Sequence, residues 1–330
     1  MIQLRIGARA CHRLAVMATA AWCCAGLPVA AQTFPDRPIR LIVPSGPGGP
    51  TDLPARLVSQ ILPKLGQPGV VENRAGAGGA IGARAVATAA PDGYTLLVGN
   101  TSVLAVFPAV SASAGYDPAK SFSPVAKVSE SYQILVVPAS SGFRSVRELV
   151  AHAKANPGKL NNAHTGSGGL PHLTVELFKS LAGVDIVGVP YKSGGEAVTG
   201  VLAGQVDMTF EGITILLPLI REGRLRALAV TSRTRTSLAP DLPTMIEAGV
   251  ADYEVTTFNG VVAPAGTPAG IVTTLNAAIN EGLQTAETQG LLHKLGAVSQ
   301  PISPTEFGAF IAAENRKWSA LAQASGIRID

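Results

Sequence analysis

Short apolar runs alternate along this chain with longer segments in which apolar residues recur every three or four positions. The run Ile39–Val43 is rich in β-branched residues and predicts a buried strand. In the segment that follows, Leu53, Leu57 and Ile61 share one face of a predicted helix. The same alternation, with short loops, continues through the chain and indicates an α/β fold built on largely parallel sheets.

Two apolar runs are long for single strands and carry polar residues at their centres. The first spans about Val125–Val137 and the second Tyr253–Val262. Such runs suit segments that cross between two lobes, so we expect one lobe to comprise residues 32–131 and 254–330 and the other residues 132–253. The predicted fold is therefore two-lobed α/β, each lobe a mostly parallel sheet flanked by helices, with the two crossover strands as a hinge.

Glycine-rich loops follow two of the predicted strands, and each leads into a predicted helix. The first loop is Pro44–Asp52 and the second is His164–His172. The first N–H groups of a helix have no partner inside it and carry partial positive charge, so we expect each loop to offer unpaired N–H groups to a carboxylate or phosphate. No lysine or arginine lies in either loop, which favours binding by neutral donors. The alternative is a tight strand-to-helix turn in which Asp52 only complements the dipole of its own helix.

The first residues are typical of a secretory signal peptide. A basic segment without acidic residues precedes the apolar run Leu14–Val29, and Val29-Ala30-Ala31 forms a small-residue cleavage site. We therefore expect residues 1–31 to be removed and the protein to be exported. A membrane anchor is the alternative, but the run is short for a span and contains Gly26 and Pro28.

Removal of residues 1–31 changes both the charge and the cysteine content. Without Arg5, Arg9 and Arg13, the 26 basic residues fall to 23 against 22 acidic ones, so the formal net charge falls from +4 to +1. Nothing in this balance indicates a nucleic-acid surface. All three cysteines also lie in residues 1–31, which excludes disulfides, thiolate metal sites and cysteine nucleophiles from the expected mature chain.

The motifs of common enzyme classes are missing from the sequence. A hydrolase elbow needs a glycine two positions before its serine, and Thr165 holds that position before Ser167. The glycines at 76–79 miss the dinucleotide fingerprint because its third glycine would fall on Ile81. His164 and His172 suggest a metal pair, but no carboxylate or cysteine cluster supports them in the sequence. We expect no catalytic residue, metal or cofactor, and a hydrogen-bonding role for His172.

Several blocks in the same order closely resemble the Bug family, the periplasmic receptors of tripartite tricarboxylate transporters. The similarity covers residues 34–330, and the blocks that carry it are Gly48-Gly49-Pro50-Thr51-Asp52, Asn73-Arg74 through Gly78-Gly79, Ala90-Pro91-Asp92-Gly93-Tyr94, Pro190-Tyr191-Lys192, Leu202-Ala203-Gly204-Gln205-Val206-Asp207 and Val262-Ala263-Pro264-Ala265-Gly266-Thr267-Pro268. The resemblance implies two lobes of the type II periplasmic-binding-protein kind. It also implies a small mono- or dicarboxylate ligand delivered to a membrane permease, and a location in the periplasm.

Carried over by position, the resemblance and the loop patterns give one set of candidate ligand-binding residues. These are Ser45, Gly48, Gly49, Thr51, Asp52, Thr101, Ser102, Thr165, Ser167, Gly168, Gly169, His172, Tyr191 and Glu211. Two positions depart from the family: serine is usual where Gly169 stands, and Asp-Asn is frequent where Glu211-Gly212 stands. For Tyr191 the alternative is a packed surface tyrosine, and for Glu211 it is a solvated loop acid.

The function that these observations favour is capture of a small organic acid for a tripartite tricarboxylate-type transporter. The alternatives are a periplasmic ligand sensor that feeds a membrane histidine kinase, and a secreted hydrolase. We expect a monomer whose contact with the permease subunits is transient.

Overall fold

The computed structural model describes residues 34–166 and 169–328. The expected signal peptide and the candidate residues Ser167 and Gly168 therefore lie outside the described residues. The described residues from Arg37 onward form one unit, from which residues 34–36 are separate. The strands of the described chain are β1 Ile39–Val43, β2 Gly69–Asn73, β3 Thr95–Asn100, β4 Phe122–Pro138, β5 Asn161–Thr165, β6 Val187–Tyr191, β7 Met208–Gly212, β8 Leu225–Val230, β9 Thr256–Pro264 and β10 Ala297–Val298.

Helices of eight or more residues follow most of these strands. They are α1 Asp52–Ile61, α2 Ala80–Ala87, α3 Val146–Ala155, α4 Leu170–Ala182, α5 Gly194–Leu202, α6 Ile213–Arg221, α7 Ala269–Leu283, α8 Ala286–Lys294 and α9 Pro304–Ser325. Shorter helical turns lie at Leu62–Leu65, Ala77–Gly79, Ser102–Val106, Phe107–Val110, Ala112–Ala114 and Pro118–Ser121.

The strands form two parallel groups joined by antiparallel strands. The order is β2-β1-β3-β9-β4-β7-β5-β6, and β8 and β10 both pair with β4. Ladders within β2-β1-β3 and within β7-β5-β6 are parallel, whereas β9 and β4 run antiparallel to their neighbours. In each parallel group the first strand along the chain lies between the other two, so the two glycine-rich loops occupy equivalent places.

Strand β4 belongs to both groups. Its first part, Phe122–Tyr132, pairs with β9, and its second part, Gln133–Pro138, pairs with β7 and β8. The two long strands expected from the sequence are present, with bounds of Phe122–Pro138 and Thr256–Pro264. The change of partner between Tyr132 and Gln133 falls near the expected lobe boundary; the division into lobes itself stays a prediction.

Helix starts follow from local side-chain chemistry. The sequence pattern Ser303-Pro304-Thr305-Glu306 predicts a capping box, and both of its hydrogen bonds are present at the start of α9. At α3, Ser145 accepts from the Glu148 N–H, but the Glu148 carboxylate accepts from Arg144 N–H instead of Ser145 N–H. The sequence pattern Ser145-Val146-Arg147-Glu148 also predicts a capping box, but the acid bonds one residue further back than that motif requires.

Apolar side chains form several buried clusters around the sheet. One contains Ile42, Leu97 and Phe258, and the start of α9 packs into it through Phe307 and Ile311. A second lies under α5 and α6. A third includes Ala105, Phe178 and Tyr253 together with Trp318 near the end of α9. Helix α9 therefore contributes to two cores, and its second half packs against residues from both expected lobes.

Candidate functional site

A pocket of about 310 Å³ lies where strands of both parallel groups end. Ligands of open α/β sheets commonly bind outside the carboxyl ends of the strands. Gly48 follows β1 and Gly212 ends β7, and both residues line the pocket. The lining residues are Gly48, Pro50, Leu53, Pro54, Ser129, Ser131, Tyr132, Gly212, Ile213, Thr214, Thr257, Asn259, Leu292, Leu295, Gly296 and Ala297.

The polar side of the pocket is made by β4 and β9. Cross-strand register pairs Ser129 with Asn259 and Ser131 with Thr257, so four polar residues are neighbours. The two pairs are two residues apart along each strand, so all four side chains lie on the same face of the sheet. The polar centres of the two long strands, which the sequence suggested only as crossing segments, thus provide the polar side of the pocket.

Asn259 has unused hydrogen-bonding capacity in this pocket. The residue is only 8% exposed, its Nδ2 donates to Ser129 Oγ at 3.3 Å, and its Oδ1 has no partner among the described residues. Hydrogen-bond networks decide which amide atom is which, and Ser129 can donate as well as accept. The amide therefore keeps one buried atom without a partner beside the pocket, an acceptor or, after a flip, an NH₂ donor.

The N-terminus of α6 also contributes to the wall of the pocket. Gly212, Ile213 and Thr214 line the pocket there. The carboxylate of Glu211 accepts from the Gly212 N–H at 3.0 Å. Burial raises the pKa of the Glu211 carboxyl above its usual value, and this hydrogen bond opposes the rise. Glu211 lies against Gly194 at the start of α5, and it has no ion-pair partner within the described part of the chain.

In the first glycine-rich loop, Asp52 is directed into the protein. Its side chain is buried and accepts from Gly48 N–H at 2.9 Å, Arg56 Nε at 2.7 Å and Asn73 Nδ2 at 2.9 Å. Burial raises the pKa of the Asp52 carboxyl, but the hydrogen bonds from Gly48, Arg56 and Asn73 outweigh burial and hold the pKa below its usual range. Gly48 adopts a φ of +78°, a region that favours glycine, which lets the loop turn back onto this carboxylate.

The expected unpaired N–H groups at the start of α1 are partly occupied. Asp52 and Leu53 N–H both lie near the Gly49 carbonyl, at 3.0 and 3.3 Å. For these two groups the expectation is wrong, because the loop supplies its own acceptor. Within this loop Gly48 lines the pocket, whereas Gly49 and Thr51 lie beside it. Ser45 Oγ is buried without a hydrogen-bond partner in the described residues.

The turn after β3 supports the same loop from behind. Asn100 Nδ2 donates to Thr51 Oγ1 at 2.8 Å, and Asn100 Oδ1 accepts from Val103 N–H at 3.0 Å. Thr101 is buried, and its hydroxyl accepts from Phe258 N–H at 2.7 Å. Ser102 begins the helical turn that follows. The hydroxyl of Thr101 therefore ties β3 to β9 in this structure.

The second glycine-rich loop brings two histidines together. The rings of His164 and His172 stack with centroids 4.5 Å apart and planes 13° apart. Burial lowers the pKa of both imidazoles, and the charge of His172 lowers that of His164 further. Thr165 ends β5, and Gly169 precedes the first residue of α4. Of the described residues of this loop, none is among those that line the 310 Å³ pocket.

Pro171 occupies the second position of α4, one residue later than its typical place, because the helix begins at Leu170. The ring of Tyr191 packs over Gly200 of α5 and joins the cluster under α5 and α6. The contacts of this tyrosine are those of a packed side chain. A ligand contact for Tyr191, Thr165, Gly169 or His172 stays a prediction.

Several residues of the pocket and its support were not predicted as site residues. Ser131 and Thr257 are visible in the sequence as polar positions inside apolar runs, and that signal could have found them. Asn73 and Arg56, which hold Asp52, could be recognised only from the fold. Across residues 34–166 and 169–328, no cluster of three or more metal-ligating side chains was found. No helix in the same ranges has the length and apolar character required to cross a membrane.

Comparison with known proteins identifies the family. Residues 55–327 match the family model described as tripartite tricarboxylate transporter family receptor, TctC. Protein BugT of Bordetella pertussis is 39% identical over 304 residues, covering 92% of this chain and 93% of BugT.

Solved structures agree with this match. A Rhodopseudomonas palustris protein solved with adipate is 36% identical, with a TM-score of 0.72, and the match covers 89% of this chain and 99% of that one. MatC from Rhodopseudomonas palustris, solved with bound malate, is 35% identical, with a TM-score of 0.68 and coverage of 87% and 99%. The chain therefore belongs to the TctC receptor family, the periplasmic solute-binding proteins also known as Bug proteins.

Proposed function

We propose that this protein captures a small organic acid, a mono- or dicarboxylate, in the 310 Å³ pocket and delivers it to a tripartite tricarboxylate-type membrane permease. The signal-peptide pattern of residues 1–31 supports export to the periplasm. The pocket would lie between a lobe of residues 32–131 and 254–330 and a lobe of residues 132–253. We also propose that the receptor acts as a monomer without a cofactor and leaves its ligand chemically unchanged.

One observation carries the proposal: the pocket combines ligand size with neutral hydrogen-bonding groups that are not fully used. A volume of about 310 Å³ is at the lower end of the roughly 300–1,000 Å³ usual for small-molecule sites. Asn259, Ser131 and Thr257 and the start of α6 offer amide, hydroxyl and backbone groups. The relatives solved with adipate and malate support a carboxylate as the ligand class.

The proposal is tested with ligand-free protein. The protein is purified from the periplasm, unfolded, dialysed to remove bound ligand and refolded. Hexanoate, adipate and malate are titrated in turn by calorimetry, and melting temperatures are measured in parallel. A ligand that binds only the folded state stabilises it by about 2.7 kcal/mol at 100 times its Kd. We expect at least one acid to bind and to raise the melting temperature.

The variant Asn259→Ala tests whether the ligand binds in this pocket. Loss of a hydrogen bond to a charged ligand group corresponds to about 1.5–3 kcal/mol, so we expect affinity to fall by about tenfold or more. Asn156→Ala is the matched control, since Asn156 is exposed and bonds only its own helix through the His152 carbonyl. Equal binding by both variants would move the site elsewhere, and no binding of any acid to the parent protein would refute the proposed function.

A further inference from the structure

The pocket is also lined by apolar residues. Leu53 of α1 and Leu295 after α8 line it, and each is 38% exposed, so both present apolar surface to the pocket. Pro50 also lines the pocket, whereas Ile213 and Leu292 reach it from the core and are only 2% and 1% exposed. Exposed leucines gathered around one pocket indicate a surface that a ligand covers.

Tyr132 also lines the pocket. Its hydroxyl is already hydrogen-bonded within the protein, so its ring is the part left for a ligand. The hydroxyl donates to Glu130 Oε1 at 2.7 Å. Glu130 in turn pairs with Lys127 at 2.8 Å, and the side chains of this ion pair are only 12% and 9% exposed. The charge of Lys127 is thus neutralised by its own partner.

No lysine, arginine or histidine is among the described residues that line the pocket. Its polar groups are hydroxyls, the Asn259 amide and the first backbone groups of α6, all of them neutral. Glu211, beside Gly212 at the pocket edge, has no ion-pair partner in the described residues and adds negative charge when ionised. Neutral donors can hold one carboxylate, but a second carboxylate would be desolvated without a cation to offset the cost.

We propose that the pocket selects a monocarboxylate with a compact apolar body over a dicarboxylate of the same length. The carboxylate lies on the polar side formed by Asn259, Thr257 and Ser131. The apolar body lies against Leu53, Leu295 and the ring of Tyr132. This inference rests on the proposed function and narrows its ligand class.

Hexanoate and adipate provide the test, since both have six carbons and they differ by one terminal carboxylate. Calorimetric titration of the ligand-free protein at pH 7.5 should give about tenfold or greater preference for hexanoate. Equal or tighter binding of adipate would overturn the inference while leaving the proposed function standing. Failure of both acids and of malate to bind would refute the proposed function, and the inference with it.

A charge added to the apolar side should change the preference. In the variant Leu295→Lys, the new ammonium can pair with a second carboxylate, so we expect adipate to gain and hexanoate to lose about tenfold in affinity. Leu181→Lys is the control, because Leu181 is 41% exposed, lies near the C-terminus of α4 and does not line the pocket. The inference fails if both variants keep the preference of the parent protein, or if both change it alike.

Circular dichroism and melting temperature show whether each variant is folded. If Leu295→Lys does not fold, Leu295→Gln replaces it as the second variant. The amide removes apolar surface without adding charge, so hexanoate should lose about fivefold or more while adipate stays within about twofold. An unchanged hexanoate affinity in Leu295→Gln would overturn the role of the apolar side.

Discussion

At the scale of single residues, hydrogen-bond partners decide whether a polar side chain serves the ligand or the fold. Asp52 begins α1 and Asn259 lies within β9, both near the pocket, yet they differ in this respect. Asp52 uses its oxygens on Gly48, Arg56 and Asn73, whereas Asn259 keeps an amide atom unpaired. Sequence alone could weigh these roles for Asp52 but could not decide, because the deciding donor Asn73 is 21 positions away.

Replacing Asp52 tests its role as the organiser of the first loop. In the variant Asp52→Asn, an NH₂ group replaces one of the oxygens that accept hydrogen bonds from Gly48, Arg56 and Asn73. We therefore expect the free energy of unfolding to fall by about 2–3 kcal/mol. Urea denaturation followed by circular dichroism measures this loss. Asp241→Asn is the control, since Asp241 is exposed. Equal stability of the two variants would contradict the assigned role.

The same residue predicts a pH dependence of stability. The pKa of Asp52 is lower in the folded than in the unfolded protein, so its contribution is fully present above the unfolded value, about 3.9. That contribution is lost as the pH falls through the folded pKa. The stability difference between the parent protein and Asp52→Asn should therefore shrink as the pH is lowered below about 4. A difference that stays constant between pH 7 and pH 3 would be inconsistent with this linkage.

At the scale of elements, the sequence predicts the alternation of strands and helices, but it misses the short strand β10 and does not fix the ends that distant contacts decide. The run Gln205–Phe210 predicts a strand, but the observed strand is β7, Met208–Gly212, because Gln205 N–H donates to Gly200 O and Asp207 N–H donates to Asn161 O. These bonds hold the chain as a turn after α5. Apolar periodicity marks an element but carries no information about such partners.

Helix α9 offers a test of an element start that the sequence predicted correctly. Ser303→Ala removes the acceptor of Glu306 N–H and half of the capping box. We expect a loss of about 1 kcal/mol in the free energy of unfolding, seen as a lower urea midpoint at an unchanged slope. Ser237→Ala, at an exposed loop position, should have no such effect. A loss below the error of the measurement would show that α9 does not depend on its cap.

At the scale of the whole molecule, the two sides of the long strands differ. On the pocket side, loops from both parallel groups leave a cavity of about 310 Å³. Away from the pocket, Ala105, Phe178, Tyr253 and Trp318 share one buried cluster, and Tyr253 donates a hydrogen bond to the Thr174 carbonyl at 3.0 Å. A packed core resists opening far more than a solvent-filled pocket resists closing. Lobe closure should therefore narrow the pocket while the cluster around Trp318 stays packed.

Spin labels can report the width of the pocket while the fluorescence of Trp318 reports the packing of its cluster. Protein that begins at Gln32 has no cysteine and retains only Trp318 of the two tryptophans, so labels at Gln60→Cys and Arg221→Cys are site-specific. These positions are exposed on α1 and α6, which flank the pocket. Saturating ligand, either hexanoate or adipate according to the titrations, should shorten the mean distance between the labels. Emission from the fully buried Trp318 should keep its wavelength, because the surrounding cluster does not open. An unchanged distance would argue against a moving hinge, and a red shift of Trp318 would show that the motion instead runs through the shared core.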